Sequence, residues 1–340
     1  MKITPKMAKA SVAVGRLSTV FAQAKVLHSA VEVGLFDLLA SAEATSDEIR
    51  DRLGLHPRLL GDFLDALVAL ELVEHTDGLY RNTEAAQECL VTGGPVYLGD
   101  TIMATSAKHY QLWGLLTDVL RDGKPRGAGG PEAFKRLYGN RDAARKFLSH
   151  MDSAHATIGP QLGEFVKWDQ YKSFVDVGGA RGSVAADLVD RHPHLTGVVF
   201  ELPPVQPLFD EHVVARGVGD RVGFHAGDFF VDPLPEADVV ILGHVLHDWE
   251  ADDRQRLLER AFAAVRPGGA VVVYDQMLDD ERPDLPTVLG SLQVALVTGG
   301  SEYTVSDCRA RVEKAGFRYT AGRRITSIGN DYVLVAEKDR

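Results

Sequence analysis

Glycines and carboxylates with spacings suited to ligand binding are concentrated in the second half of the chain. Residues 176–182 have the sequence DVGGARG, in which the glycines allow the backbone to turn sharply and to approach a ligand closely. The spacing differs from the dinucleotide motif GxGxxG, because residue 180 is alanine. By itself this loop is also compatible with a purely structural turn.

Acidic residues further along the chain are suited to completing a pocket for an adenosyl group. Glu201 lies 19 residues after Gly182, and its carboxylate is able to accept hydrogen bonds from both hydroxyls of a ribose. A dehydrogenase places an acidic residue similarly, and an exposed strand-end carboxylate is the simpler alternative. Asp228 and Phe229 suit adenine, since the carboxylate can accept a hydrogen bond from the exocyclic amine and the phenyl ring can pack on the purine face. Alone, this pair would be a turn, but in series the three segments outline an adenosyl pocket.

The segment LGHVLHDWE, residues 242–250, adds an imidazole suited to moving a proton. With this segment, the chain resembles the plant-type (caffeate O-methyltransferase-like) small-molecule O-methyltransferases, which include bacterial enzymes that modify aromatic polyketides. The matching segments, in order, are FVDVGGARG, FELP, GDFF, LHDW, RPGGAVVVYD and GGSEYT. LHDW together with GGSEYT is specific, whereas the glycine loop and GDFF occur in many methyltransferase families. The resemblance extends over nearly the whole chain.

The resemblance implies a role for each matching position. His247 is the general base that takes the proton of an acceptor hydroxyl, Glu302 orients its imidazole, and Asp275 lies beside them. The implied cofactor contacts are Gly178, Glu201, Asp228, Phe229, Gly243 and Arg145. Helical residues that form either the roof of an acceptor pocket or ordinary core are Met103, Trp113, His150 and Met151.

The sequence departs from the family pattern at three positions. Ala180 replaces a common glycine, and Glu201 replaces a common aspartate, and both changes are compatible with the cofactor pocket. Asp275 is a shorter acid than usual, which leaves its role open.

The resemblance also implies the cofactor and partners of the chain. S-adenosylmethionine would be the methyl donor, S-adenosylhomocysteine the product and a small aromatic molecule the acceptor, with no metal. His244 with His247, and His192 with His194, have spacings that metal-binding pairs also show, but no third ligand is evident for either pair.

The elements that position these residues alternate in type from residue 172 onward. Apolar strands are predicted at SFVDV, GVVFE, RVGFHA, ADVVIL and AVVVYD, with helical patterns at 182–192, 204–217, 250–266 and 304–315. The last two strands, GFRYTAGRRI and NDYVLVAEK, are predicted to pair as a hairpin at one edge. Apolar strands separated by helices indicate a parallel sheet covered on both faces. This pattern predicts a doubly wound α/β domain over residues 169–340, and the resemblance implies that it is a Rossmann-like catalytic domain that binds S-adenosylmethionine at the carboxyl ends of its strands.

The first half of the chain is predicted to be helical. Residues 10–40 are apolar enough that core or a second subunit must cover them. Residues 44–90 follow a helix, turn, helix, hairpin order, with Asp77-Gly78 at the hairpin turn, which is typical of winged-helix domains. The second helix carries several carboxylates and only Arg58 as a cation, which disfavours DNA binding. We predict a helical, winged-helix-like dimerisation domain over 1–95 and a helical linker region over 96–168 that contributes to the substrate pocket, with a loop at 121–131.

The composition excludes several classes of partner. The 340 residues have a formal net charge of −11 and a pI of about 5.5, which is unfavourable for contact with nucleic acid or an anionic membrane. No segment approaches the roughly 18 apolar residues of a membrane span, and the first residues lack a signal-peptide pattern. Cys89 and Cys308 form no disulfide framework or zinc motif. These features favour a cytoplasmic protein, and the family resemblance implies a homodimer that associates through its apolar N-terminal helices.

Three alternatives to O-methylation stay open at this point. A relative with this fold could methylate nitrogen, hydroxylate or decarboxylate its substrate, the N-terminal region could belong to a ligand-sensing DNA-binding regulator, or the α/β domain could bind a nicotinamide. The presence of both His247 and Glu302 favours O-methylation among the first group, and the glycine spacing disfavours the last. The acceptor itself is not determined by the sequence.

Overall fold

A computed structural model describes residues 3–127 and 131–340, and the backbone separates into two compact units, Met1–Lys108 and His109–Arg340. The predicted loop at 121–131 includes residues 128–130, which lie outside the described residues, and its first two residues belong to a helix. None of the helices in the described ranges combines the length and the apolar character needed to cross a bilayer.

The first unit consists of helices and one hairpin. Its helices are α1 (Pro5–Leu17), α2 (Val20–Glu32), α3 (Leu35–Ser41), α4 (Ser46–Leu53), α5 (Pro57–Ala69), α6 (Glu84–Cys89) and α7 (Gly99–Ala104), and its strands are β1 (Val73–Thr76) and β2 (Leu79–Asn82). The apolar region 10–40 is divided among three helices, because the chain breaks at residues 18–19 and again before Gly34, which has a φ of 75°.

Local sequence signals explain the helix–turn–helix–hairpin order of this unit. Thr45 and Glu48 form a reciprocal capping box at the start of α4, and Gly54 ends that helix in a left-handed conformation. Asp77 and Gly78, with φ of 54° and 80°, supply the positive dihedrals that a two-residue hairpin turn requires. The predicted hairpin turn at Asp77-Gly78 is therefore confirmed.

The second unit begins with helices. They are α8 (Tyr110–Trp113), α9 (Leu116–Asp122), α10 (Pro131–Tyr138), α11 (Arg141–His155) and α12 (Ile158–Phe165), and a π-helical turn at Thr105–His109 precedes them. The part of the predicted helical linker region that follows residue 130 is divided between three helices. One division is at Asn140, whose side chain caps α11.

A seven-stranded sheet follows, with the order β5-β4-β3-β6-β7-β9-β8. Its strands are β3 (Ser173–Val177), β4 (Thr196–Glu201), β5 (Val222–Ala226), β6 (Ala237–Gly243), β7 (Val265–Asp275), β8 (Arg318–Arg324) and β9 (Tyr332–Glu337). The first five are parallel, and β9 runs antiparallel to both β7 and β8. The doubly wound fold and the terminal edge hairpin are confirmed.

Helices cover both faces of this sheet. They are α13 (Ser183–Arg191), α14 (Gln206–Arg216), α15 (Ala251–Ala264), α16 (Leu285–Val297) and α17 (Val305–Lys314). The strands are buried almost throughout, and separate apolar clusters lie on the two faces. Helix α16 was not predicted, because its apolar residues are nearly continuous and give no polar stripe by which to recognise a helix. The strand order reverses between β3 and β6, which is where such sheets bind ligands.

Candidate active site

The loop after β3 is shaped by left-handed backbone at Gly178, Ala180 and Gly182, with φ of 70°, 53° and 87°. A side chain on Gly178 would lie 2.8 Å from Val245 and 3.9 Å from the Phe229 ring, so a glycine is needed where these segments meet. Ala180 takes a conformation that costs a non-glycine residue about 1–2 kcal/mol. The loop therefore leaves its backbone bare beside Phe229, as close approach of a ligand requires.

Glu201 lies beside this loop at the end of β4. It is buried, its Oε1 accepts a hydrogen bond from the Leu202 amide at 2.7 Å, and its Oε2 accepts one from the Ala180 amide at 3.3 Å. Burial raises the pKa of Glu201 to about 7, against the lowering effect of those two amides. The carboxylate is thus held in one orientation by the glycine loop, with lone pairs left for a ligand.

Asp228 and Phe229 follow β5. Asp228 Oδ1 accepts a hydrogen bond from the Phe230 amide at 3.0 Å, and Oδ2 lies 3.4 Å from the Lys135 ammonium of α10. The Phe229 ring packs edge-on against Trp249. A carboxylate and an aromatic face beside a bare glycine loop fit the amine and ring of an adenine, so this cradle suits an adenosyl group. Lys135 was not singled out from the sequence, since only the fold brings it to Asp228.

Gly243 ends β6, and its role in the structure is to make room. A Cβ at this position would overlap the ring of Tyr274 on the neighbouring strand β7. The next residue is anchored to that strand, because the His244 amide donates to the Tyr274 carbonyl at 2.9 Å. Gly243 thus allows β6 and the following turn to pack closely.

His247, Glu302 and Asp275, the three residues to which the family resemblance gives catalytic roles, lie next to one another. His247 lies in a 3₁₀ turn, Leu246–Asp248, and its Nδ1 is 2.6 Å from Glu302 Oε1 and 3.5 Å from Asp275 Oδ1. All three residues are buried. The Tyr303 hydroxyl donates a hydrogen bond to Asp275 Oδ2. One imidazole therefore faces two carboxylates through the same nitrogen.

The electrostatics of this cluster favour the protonated imidazole. Burial lowers the pKa of His247, but the nearby carboxylates of Glu302 and Asp275 outweigh it, and the pKa lies well above the ordinary value. Burial raises the pKa of Asp275 to about 7, and the His247 charge opposes that rise. A base with this environment binds a proton strongly once it accepts one.

Comparisons with known proteins agree with this geometry. Residues 113–318 match the O-methyltransferase domain and residues 16–92 the O-methyltransferase dimerisation domain. The chain belongs to the plant-type O-methyltransferase family. It is an enzyme, a methyltransferase that uses S-adenosylmethionine.

Similar proteins cover nearly the full length of this methyltransferase. It is 45% identical to the N,N-dimethyltransferase OxyT of Streptomyces rimosus, over 95% of each chain. It is 42% identical to the tetracenomycin polyketide synthesis 8-O-methyl transferase TcmO of Streptomyces glaucescens, over 96% of each chain. Among solved structures, human N-acetylserotonin methyltransferase in complex with SAM has a TM-score of 0.88 at 28% identity, covering 99% of this chain and 100% of that one.

Arg254 is a further residue of the candidate site, and no motif in the sequence marks it. This buried arginine of α15 donates from Nε to the Leu246 carbonyl at 3.0 Å and from a terminal nitrogen to the Ser301 carbonyl at 2.6 Å. Its guanidinium also lies over the Tyr303 ring, 4.7 Å from the centroid. Arg254 therefore ties the turn that carries His247 to the loop that carries Glu302. A buried arginine is recognisable only from the fold, since arginines in amphipathic helices are usually exposed.

A second buried pair lies next to His247. His244 Nε2 is 2.8 Å from Asp331 Oδ1, and the His155 ring of α11 stacks on His244 with centroids 4.2 Å apart. His244, His247 and Asp275 offer possible metal-ligand atoms within 4.8 Å of one another, so the fold supplies the third group that the sequence did not show.

The remaining predicted site residues have other contacts. Arg145 is half exposed on α11 and pairs with Glu211 of α14 at 2.6 Å, so its guanidinium is engaged by this chain, and its contact with the methionine carboxylate stays a prediction. Trp113 Nε1 donates to the Gln293 side chain of α16 at 2.6 Å. His150 packs edge-on against His109, and Met151 is half-buried beside it on α11. Met103 lies on α7 of the first unit and is 36% exposed.

Proposed function

We propose that this enzyme methylates a hydroxyl of a small aromatic, polyketide-like or phenolic metabolite, with His247 as the general base. The observation that carries the proposal is the buried pair of His247 and Glu302, whose 2.6 Å contact occupies Nδ1. Within residues 3–127 and 131–340 no hydrogen bond occupies the other nitrogen, Nε2, which is left to accept a proton. In this arrangement Glu302 fixes the tautomer and stabilises the imidazolium that forms.

S-adenosylmethionine supplies a methyl group on a positively charged sulfur, which is already an activated donor. The residues of the chain must therefore bind the cofactor, align the acceptor oxygen with its methyl group and remove the proton of the acceptor. We assign the adenosyl group to Gly178, Glu201, Asp228 and Phe229, with Gly243 at the edge of the same pocket. Alignment of the acceptor oxygen with the methyl carbon contributes several kcal/mol.

His247 solves the problem of removing a weakly acidic proton. A phenol has a pKa of roughly 10 and a free imidazole one of roughly 6.5, so complete transfer before methylation is unfavourable. The carboxylates of Glu302 and Asp275 raise the pKa of His247 and so narrow this gap. Proton removal concerted with attack on the methyl carbon needs no free phenolate, and such a base contributes about 10²–10⁴ in rate.

The substrate class is supported by the names of several relatives. TcmO is a polyketide 8-O-methyl transferase, and a 31% identical relative from Streptomyces sahachiroi is a 3-hydroxy-5-methyl-1-naphthoate 3-O-methyltransferase. Both names describe methylation of an oxygen on an aromatic or polyketide framework. A buried imidazole with a free nitrogen is suited to removing the proton that such a methylation releases.

N-methylation is the second candidate, because the 45% identical relative OxyT is an N,N-dimethyltransferase. The two reactions differ in their need for a base. A neutral amine attacks the methyl carbon through its lone pair, and its proton leaves afterwards, whereas a phenol must lose its proton as it attacks. Dependence on His247 should accordingly be much greater for oxygen than for nitrogen.

The experiment compares His247→Gln with His75→Gln, a matched change at an exposed histidine of β1. Purified proteins are assayed with a panel of hydroxynaphthoates, hydroxyquinones and simpler phenols, and with amine analogues of the best phenol. We expect His247→Gln to bind S-adenosylhomocysteine as the wild type does, while oxygen methylation falls at least 100-fold. Full activity of this variant on phenols would remove the base assignment, and methylation confined to amines would favour the second candidate.

A metal held by His244, His247 and Asp275 would occupy a nitrogen of the His247 imidazole, and its positive charge would oppose protonation of that ring. We therefore propose catalysis without a metal, and expect full activity after treatment with a chelator. Loss of activity that added zinc restores would contradict both the base and the metal-free assignment.

We further propose a cytoplasmic homodimer that forms through the N-terminal helices. Helix α1 buries none of its residues, and its apolar Val12, Val14 and Leu17 are exposed, as is Phe21 of α2. We also propose three regions for the chain, of which the first is winged-helix-like: a dimerisation domain over 1–95, a linker over 96–168 and a catalytic domain over 169–340. Light scattering on wild type and Phe21→Glu is expected to show a dimer that the variant weakens, whereas a monomeric wild type would contradict it.

A further inference from the structure

We infer that His244, Asp331 and His155 form a second subsite of the acceptor pocket, which binds an oxygen next to the one that is methylated. The inference rests on the proposed function, because it takes His247 as the residue that faces the reacting hydroxyl. It narrows the acceptors to aromatic rings with two neighbouring oxygens, either on adjacent carbons or in peri positions, the second being a hydroxyl or a carbonyl.

The two imidazoles are spaced for a pair of neighbouring oxygens. His244 and His247 follow β6 on the same turn, and their ring centroids are 5.1 Å apart with planes inclined by 72°. The His244 side chain is only 7% exposed. A group bound through His247 therefore presents its adjacent substituent to His244 and not to a remote part of the chain.

Asp331 determines which nitrogen of His244 is available. Oδ1 of this buried carboxylate lies 2.8 Å from His244 Nε2, while the Ser327 hydroxyl donates to Oδ2. No hydrogen bond in the described part of the chain occupies His244 Nδ1. His244 Nε2 is fully buried against Asp331, which leaves Nδ1 as the nitrogen that can reach a ligand.

Charge and stacking prepare His244 to donate. Burial lowers its pKa, but the Asp331 carboxylate outweighs this effect and the net shift is upward. His155, whose own pKa burial and the His244 charge hold well below the ordinary value, supplies a neutral ring stacked at 4.2 Å. His244 also adopts a φ of 50°, a strained conformation for a residue other than glycine and one that clusters at ligand sites.

The subsite would assist the reaction without transferring a proton itself. The proton of the reacting hydroxyl goes to His247 Nε2, and negative charge develops on the reacting oxygen; it is shared with the adjacent oxygen by resonance when that oxygen is a carbonyl, and lies close to it when that oxygen is a hydroxyl. The His244 Nδ1–H donates to that oxygen and stabilises the charge. The reacting oxygen then forms its bond to the methyl carbon as the carbon–sulfur bond breaks, and the sulfur keeps that electron pair as a neutral thioether.

The test compares isomers that differ only in the position of the second oxygen. Protein saturated with S-adenosylhomocysteine is titrated with 2,3- and 1,8-dihydroxynaphthalene, which have neighbouring oxygens, and with their 2,7- and 1,5-isomers, which do not. All titrations contain a chelator, so that a metal ion cannot create a preference. The variants are His244→Asn, which tolerates a positive φ, and His244→Phe, which keeps a ring for His155, with His75→Phe as the matched control.

We expect the wild type and His75→Phe to bind the neighbouring-oxygen isomers about 10- to 100-fold more tightly, as one hydrogen bond to a charged group allows. Both His244 variants should bind the isomers of each pair equally, while their affinity for S-adenosylhomocysteine, which also reports folding, is unchanged. Equal binding of the isomers by the wild type, or a preference that survives in both variants, overturns the inference and leaves the proposed function intact. Failure of all four compounds to bind removes the phenolic acceptor itself, and with it both proposals.

Discussion

Replacing Glu302 by glutamine separates the charge of the orienting carboxylate from its ability to accept a hydrogen bond. The amide oxygen of the variant still accepts from His247 Nδ1, where Oε1 lies 2.6 Å away in the wild type, so the tautomer is kept. The lost negative charge no longer stabilises the imidazolium that forms as the proton moves. A hydrogen bond to a charged group contributes about 1.5–3 kcal/mol, so kcat should fall about 10- to 100-fold.

The pH dependence distinguishes this electrostatic role from a structural one. His247 accepts a proton only when neutral, so activity of the wild type rises with pH through its pKa, which Glu302 and Asp275 place well above the ordinary value after burial has lowered it. Removing one carboxylate lowers that pKa and moves the acid limb of the profile to lower pH. The deficit of the variant should therefore be largest at alkaline pH and smallest at acidic pH.

The assay measures methyl transfer to the best phenolic acceptor across the neutral range, with both substrates saturating. Glu250→Gln is the matched control, since this exposed glutamate precedes α15 and makes no capping hydrogen bond. It should retain the kcat and profile of the wild type. A Glu302→Gln enzyme with normal kcat and an unmoved acid limb would refute the reasoning. The Glu302→Ala enzyme should have a lower kcat than both Glu302→Gln and Glu250→Gln.

Three further predictions concern the surroundings of the site. Gly243→Ala would push a methyl group into the Tyr274 ring, so we expect the free energy of unfolding to fall by about 1–3 kcal/mol, measured as a lower Tm. The control is Gly223→Ala, whose Cβ meets nothing within 4 Å, and it should keep the Tm of the wild type. Arg254→Met should lower kcat more than it raises KM, with partial rescue in Arg254→Lys, and equal activity of all three enzymes would contradict the clamp. Burial raises the pKa of Glu201 to about 7, so calorimetry should show weaker binding of S-adenosylhomocysteine as pH falls through 7. The Glu201→Gln variant should bind S-adenosylhomocysteine weakly at every pH. A wild-type affinity that does not change with pH would argue against the ribose contact.

The parallel sheet was predictable because its signals are local. Each of the first five strands is a short apolar run, and burial on both faces makes such runs nearly continuous. The first hairpin was equally clear, since Asp77-Gly78 is a pair that tolerates two positive φ values. Helix α16 was missed because it has no polar stripe, and the breaks within 10–40 and 132–167 depend on caps and packing that periodicity does not reveal.

The residues proposed to be catalytic divide along a similar line. His247, Glu302 and Asp275 were predicted from family resemblance, and neither their spacing nor their composition would bring them together. The partners Asp331 and Arg254 carry no motif, because their contacts join residues 87 and 47 positions apart along the chain. His244 was considered only as half of a metal-type spacing, and the carboxylate that orients it comes from the turn between the last two strands.

Gly300 and Ser301 hold the loop that carries Glu302 directly against the backbone of His247. The Ser301 amide donates to the His247 carbonyl at 2.9 Å, and a Cβ on Gly300 would overlap that same carbonyl. The backbones of His247 and of the loop that carries Glu302 are thus joined directly, so in the proposed mechanism the entropy of assembling them is lost during folding instead of in each turnover. Amide hydrogen exchange should accordingly find the Ser301 proton among the slowest of any loop in the protein, before a ligand is added.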